Sequence, residues 1–290
     1  MRVRRSRGIQ ALAAAVVLSL GLTACGGDDE PTVEPDEDVT FDAGTTMAEL
    51  NEQGAITIGT KFDQPLFGLR GPSGDPEGFD VEIGKIIAAA LGIPADGIEW
   101  VETVSANREQ FIQDGDVDIV VATYTINDDR KELVAFAGPY FVAGQTIMVL
   151  EENSDINGPD DLAGMQVCSV EGSTPAERIR TEYPEAELVP TDAYSNCLEP
   201  LRNGQVDAVT TDNVILSGFV AQNEGEFKIV GEPFSEEPYG IGLALEDDEF
   251  RNFINDTLEE SYEDGSWEAA WEATAGEVLE LPEPPAVDRY

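Results

Sequence analysis

Two segments 89 residues apart constrain the fold most: FIQDGDVDIVVAT, residues 111–123, and PLRNGQVDAVTTD, residues 200–212. Gly115, Val117, Asp118 and Val120 of the first correspond to Gly204, Val206, Asp207 and Val209 of the second. In each copy a helix-forming stretch ends at glycine, which takes the left-handed backbone of a helix terminus without a steric penalty. The run after it is rich in β-branched residues and reads as a strand covered on both faces. Each strand then gives way to polar residues, Thr123-Tyr124-Thr125 in one copy and Thr211-Asp212 in the other. The repeat predicts two similar lobes, each with polar groups at the carboxyl end of a strand. Open α/β sheets bind their ligands there.

The rest of the pattern agrees. Strands are expected over residues 55–60, 98–101, 117–122, 165–170, 206–210 and 241–245. Helices are expected over residues 80–91, 108–114, 175–183, 194–202, 214–223 and 248–262. Alternation of this kind predicts an α/β fold whose sheets are mostly parallel and flanked by helices.

If two lobes face each other, Thr123, Thr125 and Arg130 meet Thr211 and Asp212. A guanidinium is a planar fork suited to a carboxylate, and an aspartate suits an ammonium. A third element is Glu171-Gly172-Ser173-Thr174-Pro175, which opens a helix. Thr174 is read as its N-cap, with Pro175 at the first helical position and Glu177 three residues after the cap. Free backbone N–H groups at such a terminus favour an anion. Together these groups suit a zwitterion. Each also has a plainer reading. Arg130, in NDDRKE, suits a surface ion pair; Asp212 suits a cap for the next helix; Thr123 and Thr125 suit strand ends.

Composition narrows the chemistry. Histidine is absent, which excludes Ser-His-Asp triads, Cys-His dyads and histidine-based metal sites. Residues 114–125 begin like a calcium loop, but Ile119 stands at the sixth position and Thr125 at the twelfth, so EF-hand geometry fails. No metal and no cofactor is expected. Trp267 and Trp271, four residues apart, read as core packing of a terminal helix.

The amino-terminal 24 residues carry Arg2, Arg4, Arg5 and Arg7 before an apolar run, Ile9 to Leu22, too short to span a bilayer. Leu22-Thr23-Ala24-Cys25 resembles a lipobox, with cleavage before Cys25 and a lipid on that cysteine; an ordinary cleavage site is the alternative. Removing those four arginines leaves 12 Lys and Arg against 59 Asp and Glu, a formal charge of −47. Nucleic acid and anionic membrane surfaces are poor partners for such a body. If Cys25 is lipidated, Cys168 and Cys197 remain, and in an exported chain they are expected to form a disulfide or to stay as two buried thiols.

Four segments carry a resemblance: IGTKFDQPLFGL, GFDVEIGKIIAAALG, TYTINDDRKELVAFAGPYF and VCSVEGSTP. They resemble the polar amino-acid-binding proteins of ABC importers, the family 3 solute-binding proteins, and most of all the glutamate-binding lipoproteins of actinobacteria. The likeness runs from Ile56 to about Gly276. It implies a type II periplasmic-binding-protein-like fold whose two lobes close over one amino acid, with chain crossings near Tyr140 to Gly144 and Ser235 to Tyr239. By position, it assigns Arg130 and Thr125 to an α-carboxylate, Thr123 to the same end, Ser173 and Thr174 to closure from the second lobe, and Asp212 to the ammonium. Lys61 and Arg108 fit its glutamate-type pattern for a side-chain carboxylate; Arg70 is a third cation on those segments, or a surface residue.

The resulting expectation is a non-enzymatic, monomeric lipoprotein outside the cell membrane, touching that membrane only through its lipid. It would bind L-glutamate, with glutamine and aspartate as weaker ligands, and deliver it to ABC permease subunits. A dehydratase of cyclohexadienyl or arogenate type on the same fold, and an amino-acid sensor, are the rival functions. The expected divisions are a signal peptide over residues 1–24, an acidic tether over 25–45, a first lobe over 46–141 and 240–278, a second over 142–239, and a loose tail over 279–290.

Overall fold

Asp118 and Asp207, the acids of the repeated segment, perform one task in two different sheets. Asp118 donates its backbone N–H to Thr57 O at 2.9 Å, and its Oδ2 accepts from Thr57 N at 2.7 Å. Asp207 donates to Gln166 O at 2.7 Å and accepts from Gln166 N at 2.8 Å. Each aspartate thus pins the start of its strand to the neighbour beside it. The preceding glycines, Gly115 and Gly204, have φ of +73° and +66°.

The computed structural model describes residues 33–36, 39–72 and 74–290. The expected signal peptide, Cys25 and the first part of the acidic tether lie outside these residues. The described part of that tether packs on the body, where Asp36 donates its N–H to Ala89 O at 3.0 Å and Phe41 meets the Phe253 ring edge-on at 5.5 Å. The strands, in chain order, are β1 (Ile56–Thr60), β2 (Asp63–Gln64), β3 (Gly68–Arg70), β4 (Pro76–Glu77), β5 (Ile98–Glu102), β6 (Ile119–Val120) and β7 (Ala135–Ala143). They continue as β8 (Gln145–Leu150), β9 (Gln166–Val170), β10 (Glu187–Thr191), β11 (Ala208–Asp212), β12 (Phe227–Val230) and β13 (Glu237–Leu243).

One five-stranded sheet has the order β5-β1-β6-β13-β7, the other β10-β9-β11-β8-β12, and β2-β3-β4 form a small separate sheet. In each large sheet one strand opposes the rest, β13 in the first and β8 in the second. The architecture is therefore two lobes, each a mostly parallel sheet flanked by helices. Two short links, Gly144 and residues 231–236, carry the chain between the sheets. Beside them β7 and β13 pair, with Glu237 opposite Ala143 and Tyr239 opposite Phe141.

Several expected boundaries shift. The strand expected over residues 117–122 is paired only at Ile119–Val120. Its start is taken by the Asp118 bonds, and its end by Thr123, which turns away at φ +44°. The strand expected over 241–245 lies at 237–243 in the first sheet. Trp267 and Trp271 are buried core residues, as their spacing suggested. Their rings stack 6.2 Å apart, and Trp271 also stacks on Phe141 at 5.1 Å.

Cys168 and Cys197 form a disulfide with a Cα–Cα separation of 5.8 Å. The final segment is not loose. Asp288 donates its N–H to Gly138 O at 2.8 Å, Phe136 donates to the Tyr290 hydroxyl at 2.9 Å, and Arg289 pairs with Asp256 and Glu259 at 2.6 Å. It docks there because β7 is an edge strand with peptide groups left to satisfy.

Candidate functional site

Thr125 and Arg130 belong to one turn. Asn127 Oδ1 accepts from Arg130 N at 2.9 Å, starting the short helix Asp128–Lys131 and setting the direction of the arginine. The guanidinium is nearly buried, with 8% of the side chain exposed, so it is not the surface ion pair that NDDRKE also suggested. Its Nη1 donates to Thr125 O at 2.6 Å and its Nη2 to Gly172 O, on the other lobe, at 3.0 Å. Glu109 lies 3.4 Å from Nε. Burial first, and then the nearby Arg108 charge, lowers its pKa to about 10, which leaves it a cation at neutral pH. Two of its five N–H donors are used in those hydrogen bonds and Nε faces Glu109, which leaves two Nη donors for an anion.

The second lobe brings Ser173 and Thr174 against this turn. Ser173, not Thr174, is the N-cap: its Oγ accepts from Ala176 N at 3.2 Å, and the helix runs Thr174–Glu182. The cap moves back one residue because proline is tolerated anywhere in the first turn, and Glu177 then falls out of capping-box register. Thr174 is thereby free to reach across. Its hydroxyl donates to Glu237 Oε2 at 2.7 Å and lies 3.2 Å from Thr125 Oγ1. Gly172 permits the approach, since a Cβ there would sit 2.7 Å from Ala106 Cα.

Asp212 closes β11 and is 3% exposed. It occupies the N-cap position of the helix Asn213–Gln222 but makes no capping bond. Its Oδ2 accepts from the Tyr239 hydroxyl at 2.5 Å, while Oδ1 has no hydrogen-bond partner among the described residues. Burial, and next the Glu237 charge, pushes its carboxyl up to about 7. A buried acceptor with a free oxygen suits a cation that brings its own donors.

Apart from Arg130, which stands behind Thr125, these groups line a narrow space of about 10 Å³. Ser105, Arg108, Thr123 and Thr125 line it from one side, and Ser173, Thr174, Tyr194, Thr211 and Asp212 from the other. That is room for about one water, far below the roughly 300–1,000 Å³ typical of drug-sized sites, so a larger solute enters only when the two sides part.

Lys61 stands one layer behind this wall. Its Nζ donates to Ser105 Oγ at 3.0 Å, and burial followed by the Arg108 charge brings its pKa down to about 7. Arg108 lies over the Tyr124 ring at 3.7 Å and donates from Nη1 to Ala122 O at 3.1 Å; its buried Nε has no partner among the described residues. Arg70 is exposed, bonded to Gly74 O and packed over Phe62, away from the enclosed space. Ser105, Tyr194, Tyr239 and Glu237 were not singled out from sequence. Nothing in their immediate neighbours marks them, because their partners are distant in the chain.

Two α/β lobes meeting over a small, buried, doubly charged space define a solute-binding protein. The model of the bacterial extracellular solute-binding proteins, family 3, matches residues 56–273, and the chain belongs to that family. The glutamate-binding protein GluB of Corynebacterium efficiens is 41% identical over 277 residues, covering 92% of this chain and 90% of GluB. The ABC transporter glutamine-binding protein GlnH of Bacillus subtilis is 36% identical, with 88% and 90% covered. Among solved structures, an ancestral arginine-binding protein bound to glutamine aligns with a TM-score of 0.71 at 36% identity, covering 76% of this chain and 96% of that one. These relatives are binding proteins rather than enzymes.

Proposed function

We propose that the protein is a lipid-anchored receptor that captures L-glutamate outside the cell and delivers it to the permease of an ABC importer. The observation that carries this reading is the unpartnered Oδ1 of buried Asp212, which lines one narrow space with Thr125, the residue whose carbonyl Arg130 holds. An α-amino acid has the matching ends: a carboxylate for Arg130 and Thr125, and an ammonium for Asp212. Thr123 lines the same end, and Ser173 and Thr174 close over it from the second lobe. Lys61, acting beside Ser105, and Arg108 take the side-chain carboxylate. The names of the glutamate- and glutamine-binding relatives point to the same ligand class.

In this reading the lobes are residues 46–141 with 240–278, and 142–239, and Cys25 carries the lipid after cleavage. Closure about β7 and β13 traps the solute, and the closed form is what the permease meets. Glutamine and aspartate are weaker ligands, since a closed cleft with unpaired cations penalises an uncharged amide.

The test is thermal melting of protein stripped of ligand. Glutamate should raise Tm well above the shift given by equal glutamine, because the tighter ligand stabilises more. In Lys61→Met the preference should shrink or reverse. A larger shift with glutamine or a basic amino acid in the unaltered protein would overturn the roles of Lys61 and Arg108 while leaving an amino-acid site. Turnover of a cyclic amino acid, or no shift with any amino acid, would overturn the receptor reading.

A further inference from the structure

Asp80, in the segment GFDVEIG, is fully buried, near the start of the helix Phe79–Ala90 and outside the enclosed space. Both of its oxygens are engaged. Oδ2 accepts from Thr123 N at 2.7 Å, and Oδ1 accepts from the Tyr140 hydroxyl at 2.6 Å. Thr123 is the point at which the chain leaves the first sheet to line the cleft. Val121 still donates to Gly59 O in sheet fashion, but Thr123 sits at φ +44°. Left-handed backbone is an outlier for a β-branched residue, and such strain persists only where the surroundings over-determine it.

Here they do. The Thr123 N–H goes to Asp80, and its hydroxyl lies 2.9 Å from Gln64 Oε1 and 2.8 Å from Ala122 O. Tyr140 lies on β7, one of the two strands that pair beside the links between sheets. Its phenol fixes the carboxylate that fixes Thr123. A helix-start carboxylate needed only for core packing has no reason to be fully desolvated with a cleft amide as partner, since an apolar residue there costs less.

We propose that Asp80, held by Tyr140, is a positioning residue: it keeps Thr123 in the left-handed conformation that presents this residue to the solute, without touching the solute itself. The inference rests on the receptor reading above, but its mechanical part does not depend on which solute binds.

The experiment is a double-mutant cycle between Asp80→Ala and Thr123→Gly, read as glutamate affinity by titration calorimetry. Glycine adopts the left-handed conformation unaided. Asp80→Ala should therefore weaken binding roughly tenfold or more when Thr123 is present, and only about twofold to threefold in the Thr123→Gly background. Tyr140→Phe should give a smaller loss with the same dependence on residue 123. Equal losses in both backgrounds, or no loss, would overturn the proposal, because a general loss of stability does not depend on residue 123.

A second readout needs no ligand. Hydrogen exchange at the Thr123 amide should quicken in Asp80→Ala, or in Tyr140→Phe if the first variant does not fold, beyond the change at Val121. Unchanged relative protection would also overturn the proposal. If no amino acid binds the unaltered protein, the receptor reading falls, and the amide still reports whether Asp80 holds the turn.

Discussion

Asp212 and Lys61 carry opposite charges, yet burial moves both to a pKa of about 7. The signs give opposite consequences for binding. Below about 7 Asp212 takes a proton and can no longer offer a full negative charge to an ammonium. Above about 7 Lys61 loses its proton and, with it, its attraction for a side-chain carboxylate. Affinity for glutamate should therefore peak near neutrality, while affinity for glutamine should fall only on the acid side. Titration calorimetry from pH 5 to 9 checks this, and a glutamate profile that keeps rising to pH 9 would remove Lys61 from the site. Arg130→Ala and Asp212→Ala should each lose roughly 3–5 kcal/mol of binding, at least a hundredfold, because each strands a buried partner charge. Weakening of less than about tenfold in either variant would place the solute elsewhere. Arg130, Thr125 and Asp212 could be read from sequence because they stand at strand ends in a repeated unit. The phenols that hold the carboxylates could not: Tyr239 lies 27 residues from Asp212 and Tyr140 lies 60 from Asp80.

Among the elements, the legible ones had local punctuation. The helix Arg108–Asp114 matches its expected bounds because glycine closes it, and the strands before helices, β13 apart, appear within about two residues of their expected places. The strands missed are the short β2, β3 and β4 and, in the two large sheets, β7, β8, β10 and β12. Of the last four, β7, β10 and β12 are sheet edges, and in β10 and β12 the apolar pattern weakens. β10 contains Pro190, and Gly138-Pro139 interrupts β7, so both read as loops. β8 follows β7 across a single glycine, leaving no visible boundary. The disulfide joins β9 to the turn before the helix Leu198–Arg202, across 29 residues. Loop-closure entropy over that length corresponds to about 3–4 kcal/mol. Denaturant unfolding with and without reductant should differ by that order, and identical midpoints would show that the bridge constrains nothing the fold does not already constrain.

For the molecule as a whole, charge is the dominant feature. Without the first 24 residues, 59 acids face 12 bases. Self-repulsion of this size should be relieved by salt, since the Debye length falls from about 30 Å at 0.01 M to about 10 Å at 0.1 M. If screening returns about 2 kcal/mol, Tm of the ligand-free protein should rise by roughly 4–8 °C over that range. A flat response in a melting series would mean that the ion pairs already offset the repulsion. The two-lobed class was legible from the repeated segment alone. The docking of the final residues on β7 was not, because prolines at 282, 284 and 285 mark a stretch without regular structure whether it is docked or free.

The insertion of β13 between β6 and β7 has a consequence for assembly in time. All five strands of the second sheet lie in one unbroken stretch, from Gln145 to Val230. The first sheet is begun at Ile56 but lacks an inner strand until Leu243 has been made. A chain emerging amino-terminus first can complete the later sheet while the earlier one still exposes two unpaired edges. The lobe that starts first must finish last, and those waiting edges are where a chaperone would be needed.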